Sequence, residues 1–223
     1  MNIMTPGLFV TGTDTGVGKT YVSAGIATAL KLRGVDVGVM KPAETGCRMR
    51  AGRLMPKDAL ILMKSARVKD RLSLVNPYRF RDPLAPSVAA ERDGKKIDPD
   101  KILKVFTALR ERHDFMIVEG AGGIMAPLRG HYTYLDLACA MGLPVLIVAR
   151  PGLGTINHTL LTISALKGRN IQIAGIVINH ALDWRPGLAE ETNPAVIEKI
   201  SGIRIVGIIP YASRSFDSVL DKW

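Results

Sequence analysis

Residues 8–21 decide the fold and read LFVTGTDTGVGKTY. An apolar strand, Leu8–Thr11, leads into a glycine-rich loop, and a helical pattern, Thr20–Arg33, follows directly. In this order, the loop N–H groups and the helix N-terminus can wrap a polyphosphate. The strict spacing G-x-x-x-x-G-K-[ST] requires glycine at position 13, but this chain has Thr13, with Gly12 one place early. A phosphate-binding loop is nevertheless predicted from the strand–loop–helix context and from Gly16, Gly18, Lys19 and Thr20.

Short apolar runs rich in Val and Ile alternate with helical patterns along the whole chain. The runs are typical of strands in a parallel sheet covered on both faces, and they are Leu8–Thr11, Val37–Lys41, Phe115–Glu119, Val145–Ala149, Ile173–Ile178 and Ile205–Ile209. Helices are predicted over Thr20–Arg33, Asp58–Ala66, Asp98–Arg112, Tyr134–Met141, Thr155–Gly168 and Pro194–Ile200. The alternation predicts an α/β fold, a doubly wound, mostly parallel sheet with helices on both faces, resembling P-loop NTPases. No linker divides residues 1–223, so we expect a single domain, with Asn76–Ser87 an ordered surface loop inside it.

Composition narrows the class of protein. The 223 residues are 47% hydrophobic, which is enough for a core and excludes a disordered chain. Two cysteines exclude a disulfide scaffold and favour a reducing compartment, so we expect a cytoplasmic protein. No apolar run is long enough for a signal segment or a membrane span, and we expect no membrane partner.

The basic excess raises the question of nucleic acid. The formal net charge is +10, from 30 Lys and Arg against 20 Asp and Glu. The basic residues are dispersed, usually with an acidic neighbour, and aromatic residues make up only 5% of the chain. Platforms for stacking bases are therefore scarce, and we expect no nucleic-acid partner.

Two other predicted strands end in charged side chains. Lys41 ends the second apolar strand, and Glu119 ends the third and is followed by small residues. Open α/β sheets hold their ligands at this edge, and a carboxylate there is typical of a Mg²⁺ ligand beside phosphates. Asp58, at the start of a predicted helix, is either a further Mg²⁺ ligand or an N-cap. The sequence leaves both possibilities open.

In this combination the chain resembles the dethiobiotin synthetase family. The matching segments run in order over nearly the whole chain: Val10–Thr20 (VTGTDTGVGKT), Lys41–Gly46 (KPAETG), Lys57–Leu60 (KDAL), Asn76–Phe80 (NPYRF), Val118–Gly123 (VEGAGG), Gly154–Thr159 (GTINHT), Gly175–Asn179 (GIVIN) and Gly207–Tyr211 (GIIPY). The resemblance implies that 7,8-diaminopelargonate, CO₂ and MgATP give dethiobiotin, ADP and phosphate. A carbamate forms on one substrate amine, attacks the γ-phosphate, and the neighbouring amine then closes the ureido ring.

The resemblance also implies roles for individual residues. Lys41 would neutralise the carbamate, Lys19 would bridge the outer phosphates, and Thr15 and Thr45 would hydrogen-bond the substrate. Mg²⁺ would be held by Thr20, Asp58 and Glu119. ATP would contact Gly16, Val17, Gly18, Lys19, Thr20, Tyr21, Asp58, Glu119, Gly120, Ala121 and Gly122, and its adenine would lie near Asn179, His180, Pro210, Tyr211 and Ala212.

The family is homodimeric, and the resemblance implies that the carboxylate tail of the substrate reaches the stretch Gly152–Asn157 of the partner subunit, at Gly154 and Asn157. Helix-start capping is the alternative for Asn157 and His158. Many members of the family carry an acidic residue where this chain has Gly16, and Glu44 is a candidate substitute. His180 also stands where an acidic residue is often found.

The sequence leaves three alternative functions to compare with this one. ParA/MinD-type partner-switch ATPases, which position chromosomes and septa, share the deviant phosphate loop but carry a signature lysine where this chain has Asp14. A glutamine-dependent ligase of the cobyrinate type needs an amidotransferase domain for which 223 residues leave no room. Nucleic-acid binding would be recognised by retention on DNA that falls steeply with salt.

Overall fold

The computed structural model describes residues 7–183, 187–213 and 215–222. Within them the strands are β1 (Gly7–Gly12), β2 (Val37–Met40), β3 (Ala43–Glu44), β4 (Arg48–Arg50), β5 (Arg53–Met55), β6 (Tyr78–Arg79), β7 (Phe115–Gly123), β8 (Pro127–Arg129), β9 (Tyr132–Thr133), β10 (Val145–Ala149), β11 (Ile173–Asn179) and β12 (Ile205–Ile209). The helices are α1 (Lys19–Leu32), α2 (Lys57–Ala66), α3 (Leu72–Val75), α4 (Pro86–Arg92), α5 (Pro99–Arg110), α6 (Tyr134–Met141), α7 (Thr155–Lys167), α8 (Leu188–Ser201) and α9 (Asp217–Leu220).

Six strands form one sheet in the order β12-β11-β10-β1-β7-β2, and every neighbouring pair is parallel. The strand that carries the glycine-rich loop, β1, is fully buried inside this sheet, with Phe9 paired to Val118 on one side and to Val145 on the other. Phe9 packs in one apolar cluster, whereas Leu8 and Val10 pack in a second. Since alternate side chains point to opposite faces, both faces of the sheet are covered, and the predicted fold class is confirmed.

One predicted helix boundary is wrong. The sequence placed a helix start at Pro194, but α8 begins at Leu188 and Pro194 lies inside it. The earlier start is stabilised by the Glu190 carboxylate, which accepts a hydrogen bond from the Gly187 N–H at 2.9 Å. This contact satisfies one of the N–H groups that a helix start leaves without an internal partner.

The predicted surface loop Asn76–Ser87 contains regular structure. Its Tyr78–Arg79 segment is β6, which pairs in parallel with β3, and its last two residues open α4, with Pro86 in the first turn. The buried Asn76 side chain donates hydrogen bonds to the Lys41 carbonyl at 2.6 Å and to the Tyr78 carbonyl at 3.2 Å. Asn76 therefore fixes this segment beside the point where the chain leaves β2.

In the ranges that the structure describes, no helix has the combined length and apolar character needed to cross a bilayer.

Candidate active site

A cavity of about 750 Å³ opens where β1, β2 and β7 end. Parallel strands bring their carboxyl ends to one edge, so three distant parts of the chain meet there. Its lining includes most of the residues predicted for phosphate, metal and substrate: Thr15, Gly16, Gly18, Lys19, Thr20, Lys41, Thr45, Asp58, Glu119, Ala121 and Gly122. Segments around residues 83–86 and 126 complete the wall.

Lys41 lies in a buried cluster of charges at the base of this cavity. Its side chain is 3% exposed, and its Nζ lies 2.5 Å from Glu119 Oε1, 3.0 Å from the Gly120 carbonyl and 3.3 Å from Asp58 Oδ2. Burial alone would lower the pKa of Lys41, but the carboxylates of Glu119 and Asp58 outweigh it and raise the pKa. Lys41 is therefore a buried ammonium group at neutral pH.

The Glu119 carboxylate has an unsatisfied oxygen. Its Oε1 accepts hydrogen bonds from Thr20 Oγ1 at 2.8 Å and from Lys41, while Oε2 is buried and has no hydrogen-bond partner among the residues that the structure describes. A buried acceptor without a donor is costly, and a cation would satisfy it. Within the described residues, no group of three or more His, Cys, Asp or Glu side chains forms a metal site. Thr20, Glu119 and Asp58 instead fit a Mg²⁺ ion that takes its remaining oxygens from phosphates and water.

The glycine-rich loop has a conformation that only some residues can adopt. Gly16 and Gly18 have φ of +78° and +92°, and Gly18 is the N-cap of α1. Position 12 requires glycine for a steric reason, because a Cβ there would lie 2.8 Å from the Asp14 carbonyl oxygen and 2.9 Å from Lys19 Nζ. Gly12, which stands one place early in the motif, is thus the residue against which the rest of the loop packs.

Lys19 is buried within the loop that it follows. Its Nζ donates to the Asp14 carbonyl oxygen at 3.0 Å. Burial, followed by repulsion from Lys41, lowers the pKa of Lys19 to about 8. An anionic ligand would counteract both effects by supplying a partner for the ammonium.

The N-cap alternative for Asp58 is wrong. The N-cap of α2 is Pro56, and the helix start is held by Glu44, whose Oε1 and Oε2 accept hydrogen bonds from the Asp58 and Ala59 N–H groups at 2.9 and 3.0 Å. Burial raises the pKa of Glu44. The Asp58 carboxylate is therefore left to face Lys41. No local pattern marks this capping role, because Glu44 lies outside the helix that it stabilises.

A second cavity, of about 520 Å³, shares Thr15 and Gly16 with the first. Arg150, which follows β10, lies in its wall and was missed in the sequence. Its Nη2 lies 3.0 Å from His158 Nδ1, and its Nη1 lies 4.0 Å from Asp14 Oδ2. A charged residue directly after an apolar strand is the signal that identified Lys41 and Glu119, and it would have identified Arg150 too.

The residues predicted around adenine divide into two groups. Asn179 and His180 line the second cavity, and the Asn179 amide donates to the Val17 carbonyl at 2.9 Å. Pro210, Tyr211 and Ala212 follow β12 at the same edge of the sheet and are exposed. The Tyr21 hydroxyl donates to the Ser213 carbonyl oxygen, so Tyr21 connects α1 to the segment after β12.

The predicted substrate-tail residues lie apart from Lys41. Gly154 is the N-cap of α7, with φ of +86°, and both Gly154 and Asn157 are exposed. Neither Asn157 nor His158 caps α7 through its side chain, because the helix has no side-chain cap and His158 contacts Arg150. Of the remaining predicted contacts, Gly120 and Ala121 continue β7 beyond Glu119, and Gly122 has φ of +65°.

Replacing Gly18 with alanine is expected to weaken nucleotide binding by about tenfold and to destabilise the protein by about 1–3 kcal/mol. The Cβ would overlap the Asn179 amide nitrogen, and φ of +92° is unfavourable for alanine. Calorimetric nucleotide titration and thermal unfolding measure the two effects. Gly34→Ala is the matched control, since Gly34 also has positive φ but has open space around it. Equal nucleotide affinity in the Gly18 and Gly34 variants would contradict the prediction.

Comparison with known proteins identifies the family of this chain. A family model described as an AAA domain matches residues 6–216. The ATP-dependent dethiobiotin synthetase of Thermodesulfovibrio yellowstonii is 42% identical over 218 residues, which are 95% of this chain and 91% of that protein. The protein of the same name from Anaeromyxobacter dehalogenans strain 2CP-1 is 47% identical over 224 residues, and the alignment covers 96% of each chain.

Solved structures of low sequence identity share the fold. The septum site-determining protein MinD of Pyrococcus horikoshii, complexed with Mg-ADP, aligns with a TM-score of 0.60 at 18% identity, over 98% of this chain and 86% of that one. The Aquifex aeolicus MinC:MinD complex gives a TM-score of 0.56 at 20% identity, over 97% of this chain and 86% of that one. This likeness concerns the fold alone. The two relatives of 42% and 47% identity, by contrast, are both named ATP-dependent dethiobiotin synthetase. The resemblance seen in the sequence is confirmed, and the chain belongs to the ATP-dependent dethiobiotin synthetase family.

Proposed function

We propose that this protein uses ATP to close the ureido ring of dethiobiotin from 7,8-diaminopelargonate and CO₂. One observation carries the proposal: the ammonium of Lys41 is buried beside Glu119 and Thr20, in the cavity that the glycine-rich loop borders. A reaction whose substrates are a triphosphate and a carbamate needs fixed positive charge at that place. The family membership supports the same reaction.

The phosphates are held by the loop. Its N–H groups and the N-terminus of α1 bind the triphosphate, and Lys19 leaves the Asp14 carbonyl to contact the outer phosphates. Thr20, Asp58 and Glu119 hold Mg²⁺, which when bound neutralises charge on the phosphate oxygens. Asn179 and His180, together with Pro210, Tyr211 and Ala212, contact the adenine ring. The Asn179 Oδ1 is buried and has no partner within the described part of the chain, so it can accept a hydrogen bond from the exocyclic amine.

Lys41 acts on the group that is phosphorylated. A substrate amine takes up CO₂ as a carbamate, and one carbamate oxygen attacks the γ-phosphorus as ADP leaves. The second amine then attacks the carbonyl carbon, phosphate departs, and a proton is released. Lys41 neutralises the carbamate and the charge that develops during transfer, while Thr15 and Thr45 orient the substrate by hydrogen bonds. The protein thus contributes positioning and electrostatic stabilisation, with no covalent intermediate on its side chains.

The substrate tail requires a second subunit in this proposal. The N-terminus of α7, at Gly154 to Asn157, is suited to a carboxylate because the first turn of a helix leaves backbone N–H groups for a ligand. Leu153, at 84% exposed, and Leu182, at 65%, lie near this helix start and would be covered in a homodimer. A cytoplasmic location stays a prediction from the cysteine content.

The test is incubation with 7,8-diaminopelargonate, ¹³C-labelled bicarbonate and MgATP, followed by mass spectrometry of the product. We expect one labelled carbon in dethiobiotin and one ADP released per product molecule. ATP turnover should require the diamino acid, and omission of that substrate is the control. Rapid ATP hydrolysis without the diamino acid, or an unlabelled product, would contradict the proposal.

A further inference from the structure

Asn179 connects β11 to the glycine-rich loop. It is the last residue of β11 and is only 1% exposed. Its Nδ2 donates to the carbonyl oxygen of Val17, 162 residues earlier in the chain, at 2.9 Å. The two partners come from separate elements, and both are buried at this contact. The hydrogen bond is therefore a tertiary tether on the loop, independent of any ligand.

The tether fixes the direction of one loop N–H group. The peptide between Val17 and Gly18 is planar and trans, so its C=O and its N–H point in opposite directions. Because the Val17 carbonyl is held towards Asn179, the Gly18 N–H is turned away from Asn179. In a loop that binds phosphate, the N–H groups must converge on the ligand and the carbonyls must point outward. The Asn179 amide is the outward partner of one such carbonyl.

The packing around Gly18 strengthens this constraint. Gly18 has φ of +92°, and a Cβ on it would overlap Asn179 Nδ2, so the amide lies directly against the Gly18 backbone. On the other side of Val17, Gly16 also has positive φ, at +78°. A glycine therefore stands on each side of Val17, whose carbonyl is held by Asn179. Without the tether, this is the part of the loop with the greatest conformational freedom.

We infer that Asn179 is a positioning residue for phosphate binding, which holds the Val17–Gly18 peptide so that the Gly18 N–H is aimed at the triphosphate. The inference rests on the proposed binding of ATP phosphates in this loop and goes beyond the contact of Asn179 with adenine. One side chain would then serve both ends of the nucleotide. A phosphate ligand that lacks a base distinguishes this role from base recognition. Its affinity depends on how the loop is positioned and not on contacts with adenine.

The probe is inorganic tripolyphosphate with Mg²⁺, titrated calorimetrically into the full-length protein. We expect Asn179→Ala to weaken tripolyphosphate binding by about tenfold, as suits the loss of one oriented donor. Asn193→Ala is the matched control. Asn193 is also buried, and its Nδ2 also donates to a loop carbonyl, that of Pro151, at 2.8 Å, but that loop follows β10. The control should bind tripolyphosphate as the wild type does.

A second variant guards against a simple folding defect. Asn179→Leu fills nearly the same volume without a donor, and it should show the same weakening, with circular dichroism and thermal unfolding confirming a folded protein. Wild-type affinity for tripolyphosphate in the folded Asn179 variants would overturn the inference, even if their ATP affinity fell. Equal weakening in Asn193→Ala would also overturn it, since the effect would then be general. If the wild-type protein does not bind tripolyphosphate, or if Lys19→Ala binds it equally well, the inference fails, whereas the proposed function fails only if the diamino acid, labelled bicarbonate and MgATP give no labelled dethiobiotin.

Discussion

Lys41→Ala is expected to lower kcat by about a hundred- to a thousandfold while leaving ATP affinity within a few-fold of wild type. The ammonium of Lys41 lies beside Glu119 and Asp58, and in the proposed reaction it stabilises charge that appears only during phosphoryl transfer. Removing such an interaction lowers kcat more than it changes substrate binding. Lys19→Ala should differ, because Lys19 would contact phosphates in both the ground state and the transition state. Its loss should impair ATP binding and turnover together.

The buried position of Lys41 adds an effect on stability. Without the ammonium, the fully buried Glu119 carboxylate keeps, of its partners in the described ranges, only the Thr20 hydroxyl, and breaking a buried pair costs about 3–5 kcal/mol. MgATP should restore part of this loss, because it binds the folded state. Steady-state kinetics, calorimetric ATP titration and thermal unfolding with and without MgATP measure these effects. Lys104→Ala, on the exposed side of α5, is the control for loss of one positive charge. A Lys41→Ala enzyme with wild-type kcat would contradict the assignment.

Glu119→Gln is expected to reduce turnover at least about a hundredfold and to raise the Mg²⁺ concentration needed for half-maximal rate. The change keeps the shape of the side chain but removes its charge. Its two oxygens differ in the free protein, since Oε1 accepts from Thr20 and Lys41 and Oε2 has no partner. An amide would leave the cation with a weaker ligand and Lys41 with Asp58 as its only close carboxylate among the described residues.

The measurement is ATP turnover as a function of Mg²⁺ concentration, with the diamino acid saturating. Asp58→Asn serves as the graded comparison, because the Asp58 side chain is 37% exposed and water can replace part of its contribution. We expect its effect to be clearly smaller than that of Glu119→Gln. An unchanged Mg²⁺ dependence in Glu119→Gln would show that this carboxylate does not hold the metal.

Among the candidate site residues, the position in the fold was predicted best for those at strand ends. Lys41 and Glu119 each follow a short apolar run, and a parallel sheet necessarily brings such ends to one edge. The fold class followed from the same runs, because both-face burial leaves a continuous apolar pattern. These predictions depend on periodicity within a few residues of each position, which a single sequence contains.

Side-chain hydrogen bonds between segments far apart in the sequence could not be predicted from local periodicity. Glu44 caps a helix that begins 13 residues later, and Asn179 holds a carbonyl in a loop 162 residues away. Both are polar side chains, and the partners that they hold depend on which elements become neighbours. Pro194 misled the assignment for a related reason, since a proline favours a helix start, but the Glu190 contact with Gly187 extends the helix before it.

The position of β1 has a consequence for the order in which the protein folds. The strand that opens the described chain pairs with residues around Val118 and Val145, so neither neighbour exists until much of the chain has been synthesised. Until then β1 is an apolar segment without its strand partners, and unpaired apolar strands are prone to aggregation. Pairings of such long sequence separation also slow folding. The phosphate loop, which begins where β1 ends, can therefore become ordered only after the residues around Val118 and Val145 have been synthesised.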